Sequence, residues 1–202
     1  MAPLWIAPVQ LRGTHAALEP LIPAHADELR TATRDGELHK LWYTSIPHAD
    51  DMEGEIKRRL ALQAQGSMLP FSVVDARTGS VVGMTTYMNI DSFARRVEIG
   101  STWYSRSAQR TVINTECKLL LLSHAFESLN CIAVEFRTHF LNTQSRRAIE
   151  RIGGKFDGVL RNHSIMADGT LRDTAVYSII ASEWPTVATH LRWLIDKPRT
   201  ST

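Results

Sequence analysis

Three consecutive stretches decide how this chain folds: Arg96–Tyr104 (RVEIGSTWY), Val112–Leu129 (VINTECKLLLLSHAFESL) and Cys131–Thr138 (CIAVEFRT). In the third, Ile132, Val134 and Phe136 alternate with Ala133, Glu135 and Arg137, the two-residue period of a strand with two distinct faces. The first reads as a strand that starts after a polar turn at Asp91-Ser92. Apolar positions of the middle stretch cover much of the helical circumference, which predicts a helix buried on more than one side. If the two strands are parallel neighbours, this helix is the crossover between them. Its N-terminus, with unpaired amides and the positive end of the dipole, is then free for an anion.

Working outward, the flanking sequence supplies the rest of a sheet. Val9–Leu21 reads as a strand with a turn at Gly13. Ala24–Asp35 has helical spacing at Ala26, Leu29 and Ala32, with Asp27 and Glu28 near the positive end. Leu41–Pro47 is an irregular, aromatic-rich connector, and Asp50–Gln65 is a second amphipathic helix through Met52, Ile56, Leu60 and Ala64, stopped by Gly66. Leu69–Asp75 and Ser80–Asn89 are strands around the turn Arg77-Thr78-Gly79. Downstream, Asn142–Ile152 is a helix closed by Gly153-Gly154. Lys155–Ile165 and Thr170–Ala181 are strands joined by Asp168-Gly169, and Glu183–Ile195 is a last helix with Pro185 in its first turn. The order β, α, α, β, β, β, α, β, α, β, β, α predicts an α/β (α+β) fold: a single mixed, mostly antiparallel sheet with helices on both faces. Residues 1–8 are expected to be a lead-in, 9–196 a single domain and 197–202 a tail.

Composition narrows the function classes. The chain has 202 residues, 44% apolar and 22% charged, enough to bury a core without disulfides or metal. A net charge of +2 with dispersed basic residues gives no footprint for nucleic acid. The densest basic group, Arg146, Arg147 and Arg151, is either a solvated helix face or an anion contact. Cys117 and Cys131 sit among apolar residues and read as buried thiols. No Cys/His spacing suggests a metal, and no G-x-S-x-G elbow or P-loop is present. The first nine residues lack the basic start of a signal peptide, and the apolar run Leu119–Leu122 is too short to span a bilayer. A cytoplasmic protein with no membrane partner is expected.

Three segments resemble the GCN5-related N-acetyltransferase (GNAT) superfamily, and the element order is similar to that fold over about residues 9–182. Val97-Glu98-Ile99-Gly100-Ser101-Thr102-Trp103-Tyr104 resembles the family's E-I-G strand beside the pantetheine arm of acetyl-CoA. The resemblance implies Glu98 as general base; the residue alone reads equally as a strand carboxylate bonded to its neighbours. It also implies that the backbone of Ile99, Gly100 and Ser101 aligns the pantetheine and polarises the thioester carbonyl. Gln109-Arg110-Thr111-Val112-Ile113-Asn114 stands where the family has its pyrophosphate loop, Q/R-x-x-G-x-G/A. Gln109 matches, while Val112 and Asn114 replace the small residues. Either the loop offers its amides from ordinary helical geometry, or CoA binding is weakened or lost. Asn114 and Lys118 fit the loop and helix style of the ribosomal-protein-alanine N-acetyltransferase (RimJ/RimL-like) branch. The segment Asn142 to Gly154 resembles the family's N-x-x-S/A helix, which implies Asn142 as a pantetheine contact; Arg147, from the basic group on this helix, is the candidate contact to the cofactor's anionic groups. The tyrosine acid many members carry is replaced by Ile149, and the resemblance implies that Ser145 assists the leaving thiolate instead. Asn142 and Ser145 also read as a helix-capping pair, compatible with that role.

The implied activity is acetyl-CoA-dependent N-acetylation of a primary amine, a peptide N-terminus or a small amine, by direct transfer in a ternary complex. The alternative is a non-catalytic acyl-CoA-binding or sensory domain on the same fold. Trp42, Tyr43 and Trp103 are candidate acceptor-pocket aromatics, each more simply read as packing, and Tyr177 and Arg161 are candidates for the acceptor groove. Acceptor identity and oligomeric state, a homodimer included, stay open.

Overall fold

A computed structural model of the chain describes residues 5–197. Residues 1–4 of the expected lead-in and 198–202 of the expected tail lie outside the described residues. A short hairpin, β1 (Leu11–Arg12) and β2 (Ala16–Pro20), turns at Gly13. Helices α1 (Ala26–Arg34) and α2 (Met52–Ala64) follow, then the meander β3 (Met68–Asp75), β4 (Val81–Asp91) and β5 (Arg96–Tyr104). Helix α3 (Ile113–Ser123) crosses to β6 (Ala133–His139), and α4 (Thr143–Arg151), β7 (Lys155–Ile165), β8 (Leu171–Ile180) and α5 (Trp184–Asp196) complete the order. The strands form one sheet in the order β1-β2-β3-β4-β5-β6-β8-β7, antiparallel except for the β5–β6 pair. This is the mixed, mostly antiparallel sheet expected from the pattern of elements.

Both faces of the sheet are covered because its strands alternate apolar residues to each side. The larger core lies under α3, α4 and α5 and includes Leu18, Phe71, Tyr87, Leu121, Val134, Tyr177 and Leu191. The smaller one, under α1 and α2, gathers Leu29, Met52, Ile56, Met84 and Trp103. Trp103 is therefore a core residue, not an acceptor-pocket aromatic. Cys117 and Cys131 are both buried free thiols. Trp5 and Ile6, in the stretch expected to lead in loosely, pack on the larger core, and the Trp5 indole donates to the carbonyl of Leu129 at 3.3 Å.

The long helix departs from expectation at its end. It is α-helical to Ser123 and then opens into a π-helical turn, His124–Ser128, where the Leu129 amide bonds back to His124 at 3.0 Å. The Tyr87 hydroxyl, buried in the core, donates to the Leu121 carbonyl just before the helix loosens. A π turn inserts a residue into the ladder and is set by such tertiary contacts, which helical periodicity does not report. At the other end, Glu116 fastens the β1–β2 turn to α3. Its carboxylate accepts from the amides of Thr14 (2.9 Å), His15 (2.6 Å) and Ala16 (2.6 Å).

Candidate active site

The site is a fork in the sheet. Strands β5 and β6 pair only at Arg96↔Ala133, Val97↔Val134 and Glu98↔Glu135. Beyond Glu98, β5 continues beside β4 and β6 continues beside β8, so the two strands part. The bend has a local cause. Against β4, the β5 register runs from Gly100↔Thr86 to Trp103↔Met84, one residue too many, and Ser101 takes a left-handed φ of 47°. Such a bulge kinks its strand and raises the twist. From Ile99 onward the β5 edge that faced β6 has no strand partner, so its backbone groups are open to a ligand.

Connectivity places two helix N-termini at the mouth of this fork. Because β5 and β6 are parallel, α3 and α4, which follow them, both start at the same end of the sheet. That is where open α/β sheets take up ligands, at the carboxyl ends of diverging strands. Before α3, Arg110 is left-handed (φ 59°), while Val112 has φ −69° and ψ −23°, ordinary helical values. The missing glycines therefore impose no backbone strain at Val112. Gln109 donates its side-chain amide to the Tyr104 carbonyl at 2.9 Å and so ties the loop to β5. The Thr111 hydroxyl donates to the Ala108 carbonyl at 2.6 Å and accepts from the Ile113 amide at 3.3 Å. Asn114 lies half-buried in the first turn. Asp35 braces the loop's entry through the amides of Arg106 (3.0 Å) and Ser107 (2.9 Å).

At α4, Asn142 is the cap, its Oδ1 accepting from the Ser145 amide at 3.0 Å. Ser145 is half-buried and Arg147 exposed. The arginine drawn inward is Arg146, which donates to the Tyr177 hydroxyl at 2.9 Å and lies over the Phe140 ring at 4.6 Å. Tyr177 in turn donates to Glu150 at 2.9 Å. Fully buried in the larger core, Tyr177 is a packing residue and not part of an acceptor groove. Arg161 is spent on Asp173 at 2.6 Å.

Glu98 stands at the inner end of the fork. Val97 and Ile99 enter the larger core, so Glu98 and Gly100 face the α1–α2 side. Glu98 is 5% exposed. Its Oε2 accepts from the Asn89 side chain at 2.6 Å and lies 3.6 Å from Arg137 Nε. Asn89 is itself left-handed (φ 47°), at a second irregularity where β4 pairs Met88↔Glu98 and then Asp91↔Arg96. Burial raises the Glu98 pKa; the Asn89 hydrogen bond and the charges of Arg137 and Arg172 pull it part of the way back, and Glu135 adds to the rise. The result is a carboxylate above its ordinary value of 4.5, the direction that makes it a better base.

Sequence reading missed most of what surrounds Glu98. Arg59 on α2, 2% exposed, donates to Glu55 at 2.6 Å and to Thr86 at 2.7 Å, beside Gly100. On β6, Arg137 bridges to Glu135 at 2.5 Å, and Arg96 reaches Glu135 at 3.6 Å. His139 is buried at the strand's end, its Nδ1 accepting from the Leu141 amide at 3.1 Å. Its pKa is lowered by burial and by Arg172, against the pull of Asp173, so it is neutral at pH 7. Trp42, 54% exposed, sets its ring edge-on to His139 at 5.1 Å and to Tyr43 at 5.6 Å. The alternation in Cys131–Thr138 had put Glu135 and Arg137 on one face; that this face meets Glu98 depends on which strand is β6's neighbour.

Within the wall of the fork lies a buried cation. Lys118, 7% exposed, donates to Thr102 Oγ1 at 2.9 Å, and Thr102 is bonded to Thr85 at 2.8 Å. Burial brings its pKa down to about 8. Among the described residues there is no group of three or more His, Cys, Asp or Glu that could hold a metal, and no helix is long and apolar enough to cross a membrane.

Fold and fork together define the class, an α/β acyltransferase scaffold. A family model described as an acetyltransferase (GNAT) domain matches residues 16–155, and the chain belongs to that family. It is 32% identical over 106 residues to YdaF of Bacillus subtilis (strain 168), whose name gives ribosomal N-acetyltransferase as a provisional designation. That match covers 52% of this chain and 57% of YdaF, so the chain spans little more than half of this relative. A GCN5-related N-acetyltransferase from Brucella melitensis superposes with a TM-score of 0.84 at 30% identity, over 95% of this chain and 87% of that one. RimJ of Mycobacterium smegmatis, solved with CoA-disulfide, has a TM-score of 0.75 at 22% identity over 93% of each chain, a likeness of fold.

Proposed function

We propose that this chain is an N-acetyltransferase that moves an acetyl group from acetyl-CoA to a primary amine in a ternary complex. The observation that carries the proposal is the fork: β5 leaves β6 at the residue whose carboxylate is buried with a raised pKa. The residues present fit a CoA thioester. An extended amide-rich arm needs an unpaired strand edge, which β5 offers from Ile99 to Ser101, and a pyrophosphate needs a helix N-terminus, which the Gln109–Asn114 segment and α3 supply. Arg110 and Thr111 shape that segment, Asn142 and Ser145 flank the opposite strand, and exposed Arg147 is free to meet the phosphates.

The bound thioester supplies an acyl carbon with a good leaving group. Glu98, through a water, takes a proton from the acceptor's ammonium, and the free amine attacks the thioester carbon. Amides between Ile99 and Ser101 receive the developing oxyanion. As the C–S bond breaks, the Ser145 hydroxyl donates a hydrogen bond to the departing sulfur. A thiol of pKa about 8.5 needs no stronger acid. The products are the N-acetyl amide, CoA thiol and one proton, which Glu98 passes to solvent. The acceptor approaches from the α1–α2 side, where Glu98, Arg59, His139 and Trp42 stand.

Calorimetry with acetyl-CoA, followed by thiol release over a panel of amines, tests this reading. Saturable binding with turnover of some amine supports it. Binding without turnover of any amine leaves the non-catalytic acyl-CoA-binding domain. Absence of binding removes both.

A further inference from the structure

Arg172 is a partly buried guanidinium without a carboxylate of its own. Its Nε donates to Thr174 Oγ1 at 3.0 Å, and among the described residues that neutral hydroxyl is its one hydrogen-bond partner. It takes part in none of the ion pairs of the described residues, although Glu98 lies within electrostatic reach. Its neighbours are differently placed: Arg96 and Arg137 share Glu135, Arg137 also reaches Glu98, and Arg161 is held by Asp173.

Register puts Arg172 at the mouth of the fork. Thr174 pairs with His139, Val176 with Arg137 and Ser178 with Glu135 across β8 and β6. Residues two apart on a strand share a face, so Arg172, Thr174, His139, Arg137 and Glu135 line the side that Glu98 faces. On that face Arg96 and Arg137 share Glu135, Arg137 also reaches Glu98, and Arg59, coming from α2, is held by Glu55. Asp157, bonded to Ser178 at 3.1 Å, lies level with Glu135, the residue Ser178 pairs with, and so inward of Arg172. Arg172, outward of these residues, takes part in no ion pair among the described residues, and a partly buried charge is costly until an opposite charge joins it.

We propose that Arg172 seats a carboxylate carried by the acceptor, so that the substrate is an amine with an acidic group a few bonds from its nitrogen. The inference rests on the reading that the acceptor amine meets Glu98. A guanidinium binds a carboxylate through two parallel hydrogen bonds, and Arg172 has its terminal nitrogens uncommitted. The Trp42 ring, edge-on to His139 at 5.1 Å, provides an apolar surface next to that residue. The carboxylate has two sources: the α-carboxylate of a free amino acid, or an acidic side chain close to a peptide N-terminus.

Matched probes separate these on the full chain with acetyl-CoA. One pair is phenylalanine and phenylalaninamide; the other is Ser-Asp-Phe-Gly-amide and Ser-Asn-Phe-Gly-amide. The acid in at least one pair is expected to exceed its neutral partner by about tenfold or more in kcat/KM. Whichever pair shows the preference names the source. Arg172→Gln should bring the ratio close to one, and Arg172→Lys should restore part of it. Equal use of acid and neutral probes in both pairs overturns the proposal. So does an Arg172→Gln variant that slows both members alike, because Arg172 would then act only through Glu98. Calorimetric binding of the same probes to the CoA-loaded protein covers the case of no turnover. Tighter binding of the acid, lost in Arg172→Gln, keeps the carboxylate seat while the transferase reading fails; equal binding removes the seat.

Discussion

Gly100 makes room for Glu98: a Cβ at position 100 would stand 2.7 Å from Glu98 Oε1 and 2.7 Å from Met88 Sδ. The glycine of the E-I-G segment is thus needed for space beside the carboxylate, and the left-handed residue of this strand is Ser101, next to it. Gly100→Ala should displace the Glu98 carboxylate while leaving the α3 N-terminus untouched. The expected outcome is a kcat lower by about 10- to 100-fold, the effect of an ångström-scale misplacement. Acetyl-CoA affinity measured by calorimetry should change little. Loss of affinity with unchanged kcat would contradict this account.

Glu98→Gln should lower the rate at neutral pH by about 10²- to 10⁴-fold, the usual contribution of a general base. In the parent chain the rate should rise with pH through the raised Glu98 pKa, above the ordinary 4.5. That acid limb should vanish in the variant. A pH–rate profile that keeps the limb transfers the role to another group, with neutral His139 the next candidate.

Lys118 gives a stability prediction with a definite sign. Its pKa falls from 10.5 to about 8 on folding because burial disfavours the ammonium. Between those values the unfolded chain holds a proton the folded chain has released, so stability rises with pH across that window and the full penalty is felt below about 8. Lys118→Met should therefore stabilise the fold at pH 7, by up to about 3 kcal/mol less the lost hydrogen bond to Thr102, and so raise Tm. The difference from the parent should shrink as pH climbs from 8 toward 10.5. Thermal melts across pH check it; a variant less stable at every pH would show that the ammonium has a stabilising partner.

Glu116→Ala should free the β1–β2 turn, because three buried or partly buried amides lose their acceptor. Leaving such donors unpaired costs about 1–3 kcal/mol each, so a loss of about 3 kcal/mol or more is expected. Amide exchange at residues 14–16 should accelerate more than exchange in β3 or β4. Gly13 belongs to the same device, since a Cβ there would lie 2.4 Å from the Glu116 carboxyl carbon.

What the sequence determined by itself was the set of elements and their order. Period-two alternation in Cys131–Thr138, the apolar helix after Val112, the Asn142 cap and the Asp168-Gly169 turn are local signals, written in a few adjacent residues, and each recurs in the structure. They sufficed for the sheet, and the motifs in the 97–104 and 142–154 segments sufficed for the family. Which residues meet was decided only in three dimensions. Glu98 is joined to Asn89 by a bulge on β4, to Arg137 by the three-residue parallel pairing of β5 with β6, and to Arg172 by the β6–β8 register. Arg59 comes from a helix on the far side of the β3–β4 turn, and Tyr87 reaches the Leu121 carbonyl across the core to meet α3 where it opens into its π turn. A bulge, a strand's departure from its neighbour and a buried charge's partner all depend on packing between distant segments, and no spacing along the chain records that packing.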